Sequence, residues 1–171
     1  MTLLDLVYGR ARRSEPVTAA AVASLGGLDY ADAVAVPLPA GTTAVDFCRR
    51  SLQSTPGWVR WLLAARDRLV RPLGLKGATD LHSRDVVVER GRALGPLVVL
   101  AVADDEVLLG DDDKHLSFRT SFAVRDTGAG REGVCSTAVR FHNRAGRAYF
   151  VAIRPFHRVV IPAIVGHTDH G

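Results

Sequence analysis

The sequence predicts an α+β domain in which an antiparallel sheet grips one long C-terminal helix, with two helices inserted after the first strand. Three observations carry this. Strand-like and helix-like segments are segregated along the chain rather than alternating, the order of α+β rather than α/β proteins. Lys114–Arg125 alternates apolar and polar side chains strictly, as a half-buried antiparallel strand does. Residues Asn143 to Val165 separate apolar from basic side chains around a helical wheel.

The elements follow in order. After an entry segment, residues 1–27, with a short helix expected at Val17–Leu25, Asp29–Pro39 reads as a strand in which Tyr30, Val34, Val36 and Leu38 share one parity. Pro37 and Pro39 end it or place it at an edge. A threonine cap after Gly41 starts a helix near Ala44–Ser54, and Pro56 opens a second, Gly57–Arg71. There Trp58, Trp61, Leu62, Ala65 and Leu69 form one stripe and Val59, Leu63 and Val70 another, so burial on both faces is expected. Residues 74–96 form a long Gly-rich, charged connection with a short strand expected at Asp85–Glu89. Leu97–Val102 and Glu106–Gly110 make a hairpin across Asp104-Asp105. Asp111–Asp113 reads as a turn, and Asp126–Glu132 as a Gly-rich one before the strand Gly133–His142. In the last helix Tyr149, Ala152, Ile153, Phe156, Val160, Ala163 and Ile164 fall on one arc and Arg144, Arg147, Arg154 and Arg158 on the opposite one. Pro155 is expected to kink this helix and Pro162 to end it early. The domain proper is placed at residues 28–166, with a tail at 167–171 that holds His167 and His170 and is expected to be disordered.

With 171 residues, 47% of them apolar and 23% charged, the chain has material for a real core. Cys48 and Cys135 are too few for a disulfide framework or a zinc site and read as reduced core thiols. The N-terminal charges follow a short apolar stretch, the wrong order for a secretory signal. No run of eighteen uncharged apolar residues occurs, so no transmembrane segment is expected. A cytoplasmic setting fits these features. The net charge of +4 permits contact with anions. No lysine-rich tail or aromatic–basic interleaving is present, so a nucleic-acid partner is not expected.

Two stretches carry a resemblance to a known family. They are Thr55-Pro-Gly-Trp-Val with Arg66-Asp-Arg-Leu-Val-Arg-Pro-Leu-Gly-Leu75, and Val139-Arg-Phe-His-Asn-Arg144 running on to Ile153-Arg-Pro-Phe-His-Arg158. With the strand pair near Asp105–Phe118 they resemble a bacterial domain-of-unknown-function family, number 2867. The element order resembles the helix-grip fold of the START-like (SRPBCC) superfamily. The resemblance spans roughly residues 28–165 and implies a ligand space between sheet and helix. It brings no assigned activity. Some relatives sit behind an NAD(P)-binding reductase domain; no GxGxxG opens a βαβ unit here, and Gly128-Ala-Gly130 lies in a hairpin turn.

Three functional readings follow. The first is a binding domain for a small apolar or amphipathic molecule, lined by Trp58, Phe118, Phe122, Phe141, Tyr149, Ile153 and Phe156. The second is an enzyme on the same scaffold, with His115 or His142 as acid/base and Arg140 as oxyanion partner; His157 would join them if the strands and the last helix adjoin. The third is an accessory module docking a reductase-like protein through Arg144, Arg147, Arg154 and Arg158. Asp67 is a candidate partner for one of these arginines. Asp111–Asp113 lacks the ligand spacing of a calcium loop, no GxSxG is present, and neither metal nor cofactor is expected.

Overall fold

The computed structural model describes residues 9–70, 86–94 and 97–167. Seven strands form one antiparallel sheet: β1 Arg12–Arg13, β2 Tyr30–Pro37, β3 Ala93–Leu94, β4 Leu97–Val102, β5 Glu106–Asp112, β6 Leu116–Thr127 and β7 Gly130–Phe141. Their spatial order is β1-β2-β7-β6-β5-β4-β3. The helices are α1 Ala19–Leu25, α2 Ala44–Gln53, α3 Gly57–Val70 and α4 Arg144–Gly166. The sheet therefore lies against a long C-terminal helix, and two helices follow β2, as the sequence predicts. The two-residue edge strands β1 and β3 are additions that no periodicity announces, because two residues carry none.

One sheet face holds the main core. Val34, Val36, Val99, Val107, Leu109, Phe122, Val124 and Cys135 meet Ala44, Phe47, Cys48 and Leu52 of α2 and Val165 of α4. A Cβ on Gly133 would stand 2.8 Å from both Leu38 and Phe47. Its absence is what lets the Phe47 ring drop onto β7, edge-on to Phe122 at 5.4 Å. Thr43 caps α2, its hydroxyl accepting from the Asp46 amide at 3.1 Å.

The opposite face is covered by α1, which packs Ala21 and Leu25 on Leu108 and Ala138. Ser117, Arg119 and Ser121 of β6, expected on a wet face, are buried beneath it. Arg119 answers the burial with hydrogen bonds to Ser24 at 2.8 Å, to the Asp111 and Phe118 carbonyls, and to both oxygens of Asp112 at 2.9 and 3.2 Å. Glu132, also buried, accepts from Arg12 and Arg125 and so ties β1 to β7.

The helix α4 runs unbroken through both prolines to Gly166, so Pro162 does not end it early. Each proline costs the helix one hydrogen bond, at the carbonyls of Val151 and Arg158, and burial of Val160 to Gly166 offsets the loss. Its N-terminal half meets the sheet through Phe150, with Tyr30 at 4.7 Å and Phe141 at 5.4 Å. Its C-terminal half packs Val160, Ala163 and Ile164 on Val59 of α3. The buried arc is Phe150, Ile153, His157, Val160 and Ile164; Ala152 is exposed and Phe156 is 50% exposed, against expectation. The arc turns away from them because α4 rests on two partners at once, sheet and α3. By length and mean hydropathy alone α4 meets the measure of a membrane-crossing helix. Its arginines interrupt any uncharged run without lowering the average enough, and here its apolar arc rests on the sheet.

Other differences are local. Trp61 is 69% exposed, so α3 is not buried on both faces. Val86 and Val88 are buried but unpaired, so the alternation at 85–89 reflects core contact rather than a ladder; Asp85 lies outside the described residues. Asp111 and Asp112 finish β5, and the β6–β7 turn closes at the Thr127↔Gly130 pair. His167 caps α4 through Nδ1 and the Ala163 carbonyl at 2.8 Å, while His170 lies outside the described residues.

Candidate functional site

Strand parity places Tyr30, Asp32 and Val34 of β2 on the face that looks toward α4. Asp32 is the anomaly: a carboxylate at an inward position. From above, His157 arrives on the buried arc of α4, one turn after Ile153. Its Nε2 lies 3.1 Å from the Thr137 hydroxyl of β7, and its Nδ1 lies 3.6 Å from Asp32 Oδ2. The tautomer with the proton on Nδ1 lets Thr137 donate to Nε2 and turns the N–H toward Asp32. Nδ1 is buried, and at 3.6 Å its contact with the carboxylate is electrostatic rather than an ordinary hydrogen bond. The Tyr30 hydroxyl donates to the same Asp32 oxygen at 2.7 Å.

The electrostatics follow from these contacts. Burial alone would push the Asp32 carboxyl up, but close approach of His157, the Tyr30 hydroxyl and the charge of Arg158 outweigh it and hold it below the usual range. Burial and the Asp32 charge push the Tyr30 phenol up, with Arg158 opposing. The phenol therefore stays protonated and remains a donor at neutral pH.

A folded-state carboxyl held below its unfolded value stabilises the fold above the unfolded value and loses that contribution as pH falls through the folded one. Stability conferred by Asp32 should therefore fade below about pH 4. Thermal melts across that range should fall less steeply with acid for Asp32→Asn than for the parent; parallel curves would refute the assignment.

These side chains border a cleft of about 260 Å³ between the β2 edge and α4. Tyr30, Asp32 and Val34 line it from the sheet, and His157, Arg158, Ile161 and Pro162 from the helix. Arg13, Ser14, Glu15 and Pro16 form its outer lip. The lining is divided between polar and apolar surface, as an amphipathic guest requires.

Asp32, His157 and Thr137 stand in the order of an orienter–base–nucleophile chain. Thr137 is buried in the sheet, however, and does not line the cleft. The arrangement positions an imidazole; it does not present a nucleophile.

A family model described as "Protein of unknown function (DUF2867)" matches residues 24–164. The chain belongs to that family. Comparisons with curated proteins and with solved structures gave no significant match. The DUF2867 match takes in Tyr30, Asp32, His157, Arg158 and Ile161 and leaves the lip residues Arg13 to Pro16 outside it. Its sheet and C-terminal helix are consistent with a helix-grip architecture.

Of the side chains singled out in the sequence, His157 and Arg158 line the cleft and the others lie elsewhere. Phe122 sits in the main core, with Phe118 packed against it. Phe141, Tyr149 and Ile153 surround Phe150. Trp58 packs under the C-terminal half of α4, its indole N–H buried without a partner. None of these, nor the half-exposed Phe156, lines the cleft. The three histidines are not brought together. His142 meets Ser117 at 2.8 Å and His115 meets Asn143 at 3.3 Å, at the strand ends away from His157. Arg140 donates to the Leu25 carbonyl and lies along Gly26 and Gly27, where it closes the end of α1. Of the stripe arginines, Arg147 lies over the Phe141 ring at 5.4 Å and Arg154 over the Tyr30 ring at 5.8 Å; Arg144 and Arg158 are exposed. The Asp67 side chain falls outside the described residues. Burial pushes the Cys48 thiol up to about 12 and Cys135 higher still, so neither is a nucleophile at neutral pH. Among the described residues no cluster of three or more His, Cys, Asp or Glu is placed to hold a metal.

Asp32 and His157 were within reach of sequence reasoning. Asp32 breaks the apolar parity of its strand, and His157 is spaced four residues after Ile153 and seven after Phe150. Neither signal says that the two meet, because their contact joins residues 125 positions apart.

Proposed function

We propose that this chain is a START-like helix-grip domain that binds a small amphipathic molecule between the sheet and the C-terminal helix. The observation that supports this most directly is the cleft at Tyr30, Asp32, His157 and Ile161, which sets polar groups beside an apolar wall.

Binding is favoured over catalysis because both imidazole nitrogens are directed at protein groups and the adjacent hydroxyl is inaccessible. In this reading Arg158 lines the site and Arg154 stacks on the Tyr30 ring of its wall, while Arg147 covers Phe141.

Native mass spectrometry of the purified protein, and titration with 1-octanol followed by amide chemical shifts, test the reading. A low-mass adduct or saturable shifts confined to β2 and residues 157–162 are expected, and Ile161→Trp, whose indole fills the cleft, should abolish them. If the parent and the filled variant respond alike, the cleft is not a binding site.

A further inference from the structure

The helix that walls the cleft has a one-sided charge. Between Arg144 and Gly166 it carries four arginines and no aspartate or glutamate. Arg158 lines the cleft itself. Arg154, one turn earlier on the same face, holds its guanidinium carbon 5.8 Å from the centre of the Tyr30 ring, and that ring is part of the cleft wall. Arg13 stands on the opposite lip.

Two carboxylates, Asp32 and Glu15, oppose these three cations and leave an excess of one positive charge. Asp32 lies at the inner end, hydrogen-bonded by the Tyr30 hydroxyl and facing His157, and its charge offsets part of that of Arg158. Glu15 is exposed on the lip near Arg13, where solvent screens it. What remains facing the opening is a positive field from α4 over an apolar floor of Val34, Ile161 and Pro162.

We infer that the guest of this cleft is a compact amphipathic acid, its carboxylate held at the α4 side by Arg158 within the field of Arg154, and its apolar body on Val34, Ile161 and Pro162. The inference rests on the binding reading above and adds the charge of the ligand. Guanidinium suits this role because it pairs with a carboxylate through two parallel N–H donors. An ammonium guest would meet Arg158 and Arg154 as like charges, offset only in part by Asp32.

Three probes of equal chain length separate the possibilities: octanoate, 1-octanol and octylammonium, each titrated below its micellar range and followed by amide shifts of residues 30–34 and 157–162. Octanoate should bind roughly tenfold more tightly than octanol, as a charge-assisted pair implies, and octylammonium most weakly. Arg158→Met should remove most of the octanoate advantage and leave octanol binding unchanged, and Arg154→Met should reduce it. Equal affinity for octanoate and octanol, tighter binding of octylammonium, or an octanoate advantage that survives both substitutions would overturn the acid while leaving the binding site intact. If no probe shifts these amides, the binding reading itself fails, and the acid with it.

Discussion

Phe150→Ala is expected to lower the unfolding free energy by about 3–5 kcal/mol, the range for a buried phenylalanine truncated to alanine. Phe150 is 5% exposed and is the central ring between Tyr30 and Phe141. It is also the contact that lays the first half of α4 on the sheet, with Leu116 and Val139 beneath. Removing the ring leaves a cavity that rigid strands cannot close. Denaturant unfolding of the variant measures the loss. A change below about 1 kcal/mol would mean that this half of the helix does not depend on the sheet. Because Tyr30 touches the same ring and also lines the cleft, ligand binding should weaken along with stability.

The second large effect is expected from Gly146→Ala. A Cβ at this position would lie 2.0 Å from the His115 carbonyl oxygen and 2.7 Å from its carbon. Both are backbone atoms, so no side chain can rotate to relieve the contact, and the helix must retreat by about 1 Å or more to restore ordinary separation. Overpacking of this kind typically costs about 1–3 kcal/mol, and a backbone collision belongs at the upper end. Alanine normally favours a helix interior over glycine by about 1 kcal/mol, so the sign itself is diagnostic: a stabilised variant would show that α4 does not start pressed against the β5–β6 turn. The cap supports the close start, since Asn143 Oδ1 accepts from the Gly146 amide at 3.0 Å and its amide nitrogen donates to the Lys114 carbonyl.

These two residues also mark how far the sequence reaches. The strict alternation of Leu116 to Val124 and the wheel of the last helix are local periodicities, and they name the elements wherever a segment is long enough to repeat. Gly146 carries no such sign; its role exists only because His115 is folded back upon it. The wheel likewise places an apolar arc on α4 but not its rotation. Packing against β2 and β7 on one side and Val59 on the other draws Phe150 and His157 inward and leaves Phe156 outside. Arg119 and Arg140 read as side chains of an open sheet face, and α1 turns them into its fasteners.

By itself the sequence determined the α+β class, the succession of the longer strands and helices, the two cysteines' place in the core, and the family. Periodicity, turn chemistry and capping act over a few residues, and a linear chain records them directly. Tertiary structure alone decided the strand order, the covering of the second sheet face, and the meeting of Asp32 with His157 beside an arginine-lined cleft. Those outcomes depend on which distant surfaces bury each other best, a sum over many weak contacts that no local stretch of residues contains.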